Sequence, residues 1–163
     1  MTREEANSII QQAVSRLLDK QHELLELDVT ERALSHHLAC YVRELVPEGL
    51  HVDVEYNRQR ADPKRLWLEP RRATDRDLRA TTVFPDILVH RRTTDEFNFM
   101  VIEVKKPGGC LEYDRRKLLA FRAELGYLHT AHLILGRNNH GELIGELSWV
   151  EGKGVDSQTI RLF

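Results

Sequence analysis

Several familiar signals are absent from this chain of 163 residues. Its two cysteines, Cys40 and Cys110, lie far apart and form no CxxC motif, which excludes a zinc ribbon and a disulfide scaffold. We expect both thiols to be reduced and buried. No apolar run approaches the roughly 18 residues that a membrane-spanning helix needs, and the first ten residues are too polar for a secretory signal. These absences predict a cytoplasmic protein with no membrane partner.

Signals for nucleotide and metal chemistry are equally scarce. Gly152-Lys153-Gly154 lacks the upstream glycine and the Ser or Thr of a phosphate-binding loop. The histidines show no convincing metal-ligand spacing, and the adjacent His36 and His37 would lie about 100° apart on a helix. The net charge of −2 provides no general attraction to nucleic acid. Any nucleic-acid contact must therefore come from a local basic patch.

The composition predicts an ordinary folded domain with its own core. Hydrophobic residues make up 41% of the chain and charged residues 31%. We predict one domain over residues 1–163, with the core at about 28–137, an N-terminal helix over 2–20 and a C-terminal extension over 138–163.

Two helices are predicted before the first strand. Thr2 and Glu5 form a capping-box pattern, and apolar residues at helical spacing continue the first helix to about Lys20. Thr30 is a good N-cap for the second helix. Glu31 lies on the apolar face of that helix, either because an acid suits the first turn or because it serves a site.

Apolar patterns predict an α/β fold with four main strands. The strands cover about 51–56, 84–89, 97–104 and 129–135. The short polar connection between the second and third makes them a hairpin. A helix between the third and fourth implies a crossover to a parallel neighbour, and hence a mixed sheet flanked by helices.

The third helix and the C-terminal region complete this prediction. Asp114 is expected to cap the helix. Its predicted buried stripe consists of Leu118, Phe121, Leu125 and Leu128. Weak alternation over 143–150 and 159–163 predicts edge strands.

The hairpin brings three charged residues together. If it turns about Thr94-Asp95, facing residue numbers sum to roughly 189, so Asp86 lies opposite Glu103 at a Cβ separation of about 5 Å. Side-chain alternation places Lys105 on the same face. Such charges are costly at the end of apolar strands unless they hold a metal ion or pair with each other. Glu151-Gly152-Lys153 has the same Glu-x-Lys form but ends no apolar strand.

At Pro85-Asp86 and Glu103-Val104-Lys105 the chain resembles the PD-(D/E)XK nuclease superfamily. The resemblance covers about residues 28–137 and implies a restriction-endonuclease-like αβββαβ core. It also implies an Mg²⁺-dependent endo- or exodeoxyribonuclease, with Mn²⁺ as a substitute for Mg²⁺. Asp86 and Glu103 would hold the ion with the Val104 carbonyl and with help from Glu31. Lys105 would orient the attacking water or offset developing charge.

Residues 57–80 form a long arginine-rich connection between the first two strands. Within it, eight basic residues face four acidic ones, which suits either a solvated loop or phosphate contacts. Trp67 either stacks on a base or anchors this loop. The residues expected to contact DNA are Arg58, Arg60, Arg71, Arg72, Arg115, Arg116 and Lys117.

Two other functions remain open at this point. One is a catalytically inactive nucleic-acid-binding or regulatory module with a nuclease-like fold. The other is a protein-interaction domain in which the ion cluster is purely structural. A homodimer is compatible with all three functions.

Overall fold

A computed structural model of the chain describes residues 1–59, 62–63, 65–66, 81–152 and 157–163. These residues form four helices, which are α1 (Arg3–Gln21), α2 (Glu23–Glu26), α3 (Glu31–Leu45) and α4 (Glu112–Leu125). The predicted capping box of Thr2 and Glu5 opens α1, and the side chain of Thr30 caps α3. The prediction of the first two long helices is confirmed.

The described residues also form ten strands. They are β1 (His51–Val54), β2 (Arg58–Gln59), β3 (Asp62–Pro63), β4 (Arg65–Leu66), β5 (Thr81–Thr82), β6 (Ile87–His90), β7 (Asn98–Lys105), β8 (His129–Arg137), β9 (Leu143–Trp149) and β10 (Ser157–Arg161). Six of them make one sheet in the order β1-β6-β7-β8-β9-β10, while β2 pairs with β3 and β4 with β5. The β7–β8 pair is parallel and the other pairs of the large sheet are antiparallel. The predicted α/β class with a mixed sheet is confirmed.

The β6–β7 hairpin has the predicted register. Ile87 pairs with Ile102 and Leu88 with Val101, so facing numbers sum to 189. The register then shifts by one residue, which leaves Phe99 as the extra residue of a β-bulge. Strand β6 begins at Ile87 rather than near residue 84, since Pro85 has no amide hydrogen to donate to a ladder.

The two faces of the sheet bury separate cores. Met100, Ile102 and Val104 of β7 belong to the core shared with α1 and α3. Val101 belongs to the core beneath α4. Because side chains alternate along a strand, Glu103 and Lys105 also lie on the face that α4 covers.

Three local boundaries differ from the sequence predictions. Strand β1 ends before Glu55, whose positive φ of 52° turns the chain out of the extended conformation. Helix α4 begins at Glu112, so Asp114 lies within its first turn and is not its cap. Leu128 is 56% exposed and does not join the buried stripe, because Gly126, with φ of 69°, ends the helix.

The C-terminal region extends the main sheet. Both predicted strands are present, and β10 is an edge of the sheet as predicted. Because β10 pairs with β9, β9 lies inside the sheet, and the prediction that it forms an edge is wrong. Cys40 and Cys110 are free, as predicted, but both are exposed rather than buried. None of the helices in the described part of the chain combines the length and apolar composition that a membrane crossing requires.

Candidate active site

The three charged residues of the predicted constellation meet at the carboxyl end of β7. Asp86 directly precedes β6, and Glu103 and Lys105 lie in the last three residues of β7. All three line one cavity of about 250 Å³. Its other lining residues are Val83, Phe84, Tyr113, Asp114 and Lys117.

Glu103 is the most buried carboxylate of this cavity, with 1% exposure. Its Oε2 lies 2.6 Å from the Lys117 ammonium. Its Oε1 is buried and has no hydrogen-bond partner among the described residues. Burial raises the pKa of Glu103 to about 8, since the stabilising charge of Lys117 only partly offsets desolvation and Asp86 adds repulsion.

Asp86 is attached to β7 through its side chain. Its Oδ2 accepts a hydrogen bond from the backbone amide of Val104 at 2.8 Å. Burial raises the pKa of Asp86, although this hydrogen bond and the charges of Lys117 and Lys105 act in the opposite direction. The Asp86 carboxyl is therefore fixed beside Glu103 by the same strand that carries Glu103.

Lys105 is held between two carboxylates from different helices. Its ammonium lies 3.1 Å from Oε2 of Glu31 on α3 and 3.2 Å from Oδ2 of Asp114 on α4. Burial alone would lower the pKa of Lys105, but the charges of Asp114 and Glu31 raise it. The other oxygen of Glu31 accepts from the amide of Lys106 at 3.0 Å. Glu31 thus ties the start of α3 to the end of β7.

The sequence did not identify Asp114 as a site residue. It is almost fully buried, and besides Lys105 it lies 3.7 Å from the ammonium of Lys117. The spacing of Asp114 and Lys117 by three residues, on one helix face, was the available signal. Buried His132 of β8 is the register partner of Glu103 on the parallel strand, but it is not among the residues that line the cavity.

We call these six residues the acidic cluster. It combines four carboxylates with two ammonium groups, and its members are Glu31, Asp86, Glu103, Asp114, Lys105 and Lys117. With every group ionised, the cluster has an excess of two negative charges. An excess of this sign and size suits a divalent cation.

The donor set of the cluster fits Mg²⁺ in part. The described residues contain no group of three or more His, Cys, Asp or Glu side chains arranged as a metal site. Mg²⁺ is commonly bound by one or two carboxylates together with several waters. Asp86 and Glu103 supply two such carboxylates beside the cavity, and the unpartnered Oε1 of Glu103 is an oxygen without another structural role.

The predicted DNA-contacting residues are only partly described. Arg60, Arg71 and Arg72 lie outside the described residues, as does Trp67. Arg58 is exposed on β2. Of the α4 residues, Arg115 donates to the carbonyl of Gly152, Arg116 is half-buried beside Glu112, and Lys117 is buried within the acidic cluster.

Comparison with protein-family models, with curated proteins and with solved structures finds no significant match to this chain.

Proposed function

We propose that this chain is a metal-dependent nuclease that hydrolyses DNA phosphodiester bonds. The observation that carries the proposal is the pair Asp86 and Glu103, set beside Lys105 in one cavity at the end of β7. Carboxylates in excess of their cations destabilise a buried site. A bound divalent ion would offset that cost, which gives the excess of carboxylates a functional explanation.

The order of the elements supports a restriction-endonuclease-like core. Helix α3 is followed by the antiparallel strands β1, β6 and β7, and then by α4 and the parallel strand β8. This is the αβββαβ order that the resemblance to the PD-(D/E)XK superfamily implies.

Asp86, Glu103 and the Val104 carbonyl would hold Mg²⁺, with Mn²⁺ as a substitute. When bound, the ion polarises the scissile phosphate and lowers the pKa of a coordinated water. Lys117 pairs with Oε2 of Glu103 and so orients the carboxylate, which leaves Oε1 available as the ligand atom.

Lys105 would act on the attacking water or on the charge that develops at the phosphate. Its contacts with Glu31 and Asp114 hold its ammonium group at the cavity and keep it charged. In this scheme Glu31 acts through Lys105 rather than as the main ligand. Glu31 also lines a second cavity, of about 510 Å³, which it shares with Asp86.

DNA is the proposed partner of this site. The phosphate contacts are assigned to Arg58, Arg60, Arg71, Arg72, Arg115 and Arg116. Lys117 is removed from the predicted set, because it is buried and pairs with Glu103. A cytoplasmic location and a homodimer remain predictions from the sequence.

The second candidate function is a nuclease-like module that binds nucleic acid or regulates a partner without hydrolysis. The observation that favours it is the 2.6 Å contact between Lys117 and Glu103, since an ammonium there already neutralises one carboxylate. Metal-dependent cleavage distinguishes the two functions.

The test is a cleavage assay with plasmid DNA and single-stranded DNA, in Mg²⁺, in Mn²⁺ and in chelator. We expect cleavage with either ion and none in chelator. The Glu151→Gln variant is a matched control, because Glu151 belongs to the second Glu-x-Lys triplet and pairs with Arg3 at the surface. The absence of cleavage by the wild type with both ions, while DNA is still bound, would favour the inactive module.

A further inference from the structure

Phe84 is an exposed aromatic residue on the rim of the candidate active site. Its side chain is 52% exposed, yet it lines the same cavity as Asp86 and Glu103. Its neighbours Val83 and Pro85 are both buried, so the backbone that carries the ring is anchored on each side.

A residue of the acidic cluster also contacts this backbone. The ammonium of Lys117, which pairs with Glu103, lies 3.5 Å from the carbonyl oxygen of Phe84. The alternating burial over 83–86 is typical of an extended chain, in which residues two apart are separated by roughly 7 Å. Phe84 and Asp86 both line the cavity, so the ring of Phe84 lies close to the Asp86 carboxylate. Tyr113, from the first turn of α4, adds a second aromatic ring to the cavity wall.

A nucleic-acid base is a suitable partner for an exposed aromatic ring beside the proposed phosphate-binding site. Nucleic-acid bases stack on aromatic side chains through their flat faces, irrespective of base identity. Inside a duplex, neighbouring base pairs cover both faces of each base. An unpaired nucleotide leaves a face available.

We propose that Phe84 is the stacking platform for an unpaired base, so that the site takes single-stranded or locally unpaired DNA. The inference rests on the proposed nuclease function, because it takes the cavity carboxylates as the place where a backbone phosphate is bound. In this arrangement the phosphate lies at Asp86 and Glu103 while an adjacent base covers the ring of Phe84.

Binding of an oligonucleotide that contains the fluorescent base 2-aminopurine tests the proposal without requiring cleavage. Fluorescence is measured with Ca²⁺ in place of Mg²⁺ and again in chelator. We expect the wild type to quench the base on binding. Phe84→Ala should weaken binding by about fivefold to about 150-fold, the range that stacking on one aromatic ring spans. Phe84→Trp should retain binding, and Phe84→Leu should lose it as Phe84→Ala does, because leucine is apolar without a π-face.

Phe97→Ala is the matched control, since Phe97 is 43% exposed and lies just before the opposite end of β7. We expect this variant to bind like the wild type. A second measurement compares a circular single strand with a closed circular duplex as competitors, neither of which has ends. The single strand should compete more strongly.

The outcomes separate this inference from the proposed function. Metal-dependent cleavage that Phe84→Ala leaves unchanged would support the nuclease and overturn the stacking platform. Binding that depends on Phe84 without cleavage in Mg²⁺ or Mn²⁺ would support the platform and overturn hydrolysis. Equal competition by duplex and single strand, or no quenching by the wild type, would also overturn the platform.

Discussion

Two ionic clusters lie on the same sheet, and they differ in how their charges are balanced. Asp53 of β1 is hydrogen-bonded to Nε2 of His90 and to Nε of Arg92, each at 2.9 Å, and Arg92 makes a second contact through Nη2. Burial would raise the pKa of Asp53, but the hydrogen bonds from Arg92 and His90 hold it well below its usual range. We call these three residues the Asp53 cluster.

Burial has the opposite outcome in the acidic cluster. There Glu103 has one cationic partner, Lys117, and one oxygen with no hydrogen-bond partner, so its pKa is raised to about 8. The comparison teaches that a partly buried carboxylate is not in itself a sign of function. A buried carboxylate that outnumbers its cations is costly to the fold, which makes it a candidate functional group.

The sharpest test of this difference is catalytic. Asp86→Asn and Lys105→Met should each lower the rate of DNA cleavage about 1,000-fold or more, because metal and charge stabilisation supply several kcal/mol in the transition state. Thermal unfolding of the same samples checks that the variants are folded. Asp86→Asn should change the melting temperature little, whereas Lys105→Met should lower it, because Glu31 and Asp114 lose their shared cation. Wild-type rates in both variants would remove the acidic cluster from the chemistry.

The next largest effect is expected at Lys117. At pH 9, above the pKa of about 8 of Glu103, Lys117→Met leaves an ionised Glu103 buried without its cation and should lower the free energy of unfolding by about 3 kcal/mol in chelator. Urea denaturation measures this loss. Arg116→Met is the neighbouring control on α4, where a half-buried pair with Glu112 predicts a change of about 1 kcal/mol or less. Equal losses of unfolding free energy in the two variants would contradict the inference that buried Glu103 depends on Lys117 for its stability.

Disrupting the Asp53 cluster should lower the stability of the protein and leave DNA cleavage unchanged. Asp53→Asn should lower the free energy of unfolding by about 2 kcal/mol at neutral pH, because Arg92 and His90 lose a charged acceptor. DNA cleavage should be unaffected once the variant is folded. A fall in cleavage without a fall in stability would assign Asp53 to the active site. The distinction between the Asp53 cluster and the acidic cluster would then be lost.

The same variant also makes a prediction about pH. Since the pKa of Asp53 is lower in the folded protein than in the unfolded chain, Asp53 stabilises the fold above its ordinary pKa of 3.8. That stabilisation is lost as the pH falls below this value and approaches the folded pKa. Urea denaturation from pH 6 to pH 2 should therefore show a steeper acid loss in the wild type than in Asp53→Asn. Parallel curves would contradict the depressed pKa.

The smallest effect concerns metal binding. An ion that binds only the folded protein at ten times its Kd stabilises it by about 1.4 kcal/mol. For a chain of this size that corresponds to a rise of about 3–6 °C in Tm. We expect this rise with Mg²⁺ or Mn²⁺ in the wild type and in Asp53→Asn, and its absence in Asp86→Asn. An equal rise in Asp86→Asn would place the ion elsewhere.

The sequence was sufficient for the elements whose contacts are local or fixed by a short connection. The loop between β6 and β7 fixed the register, and with it the meeting of Asp86 and Glu103. Thr30 and the apolar spacing after it predicted α3, whose first residue is Glu31. Both inferences use the spacing of residues that are close in the sequence, so they do not require knowledge of the tertiary structure.

The roles of Asp114 and Lys117 were predicted less well. Both roles depend on how α4 lies across the sheet, which their spacing by three residues indicates only in part. In the sequence, Asp114 has the features of a helix cap, and Lys117 is predicted to contact DNA rather than to pair with Glu103. Only the packing of α4 against β7 buries them beside Glu103 and Lys105.

The bulge at Phe99 sets the phase of β7 relative to α4. In a strand of strict alternation, Asn98 would share a face with Met100, away from α4. The extra residue reverses this, and the Asn98 side chain donates to the carbonyl of Leu125, the last residue of α4, at 2.6 Å. One strand thereby holds both ends of α4, with Asn98 at its last turn and Lys105 and Glu103 at its first two turns. Deletion of Phe99 would turn Asn98 away from α4 while Glu103 and Lys105 still faced it. The geometry of the cavity therefore depends on a residue at the opposite end of β7.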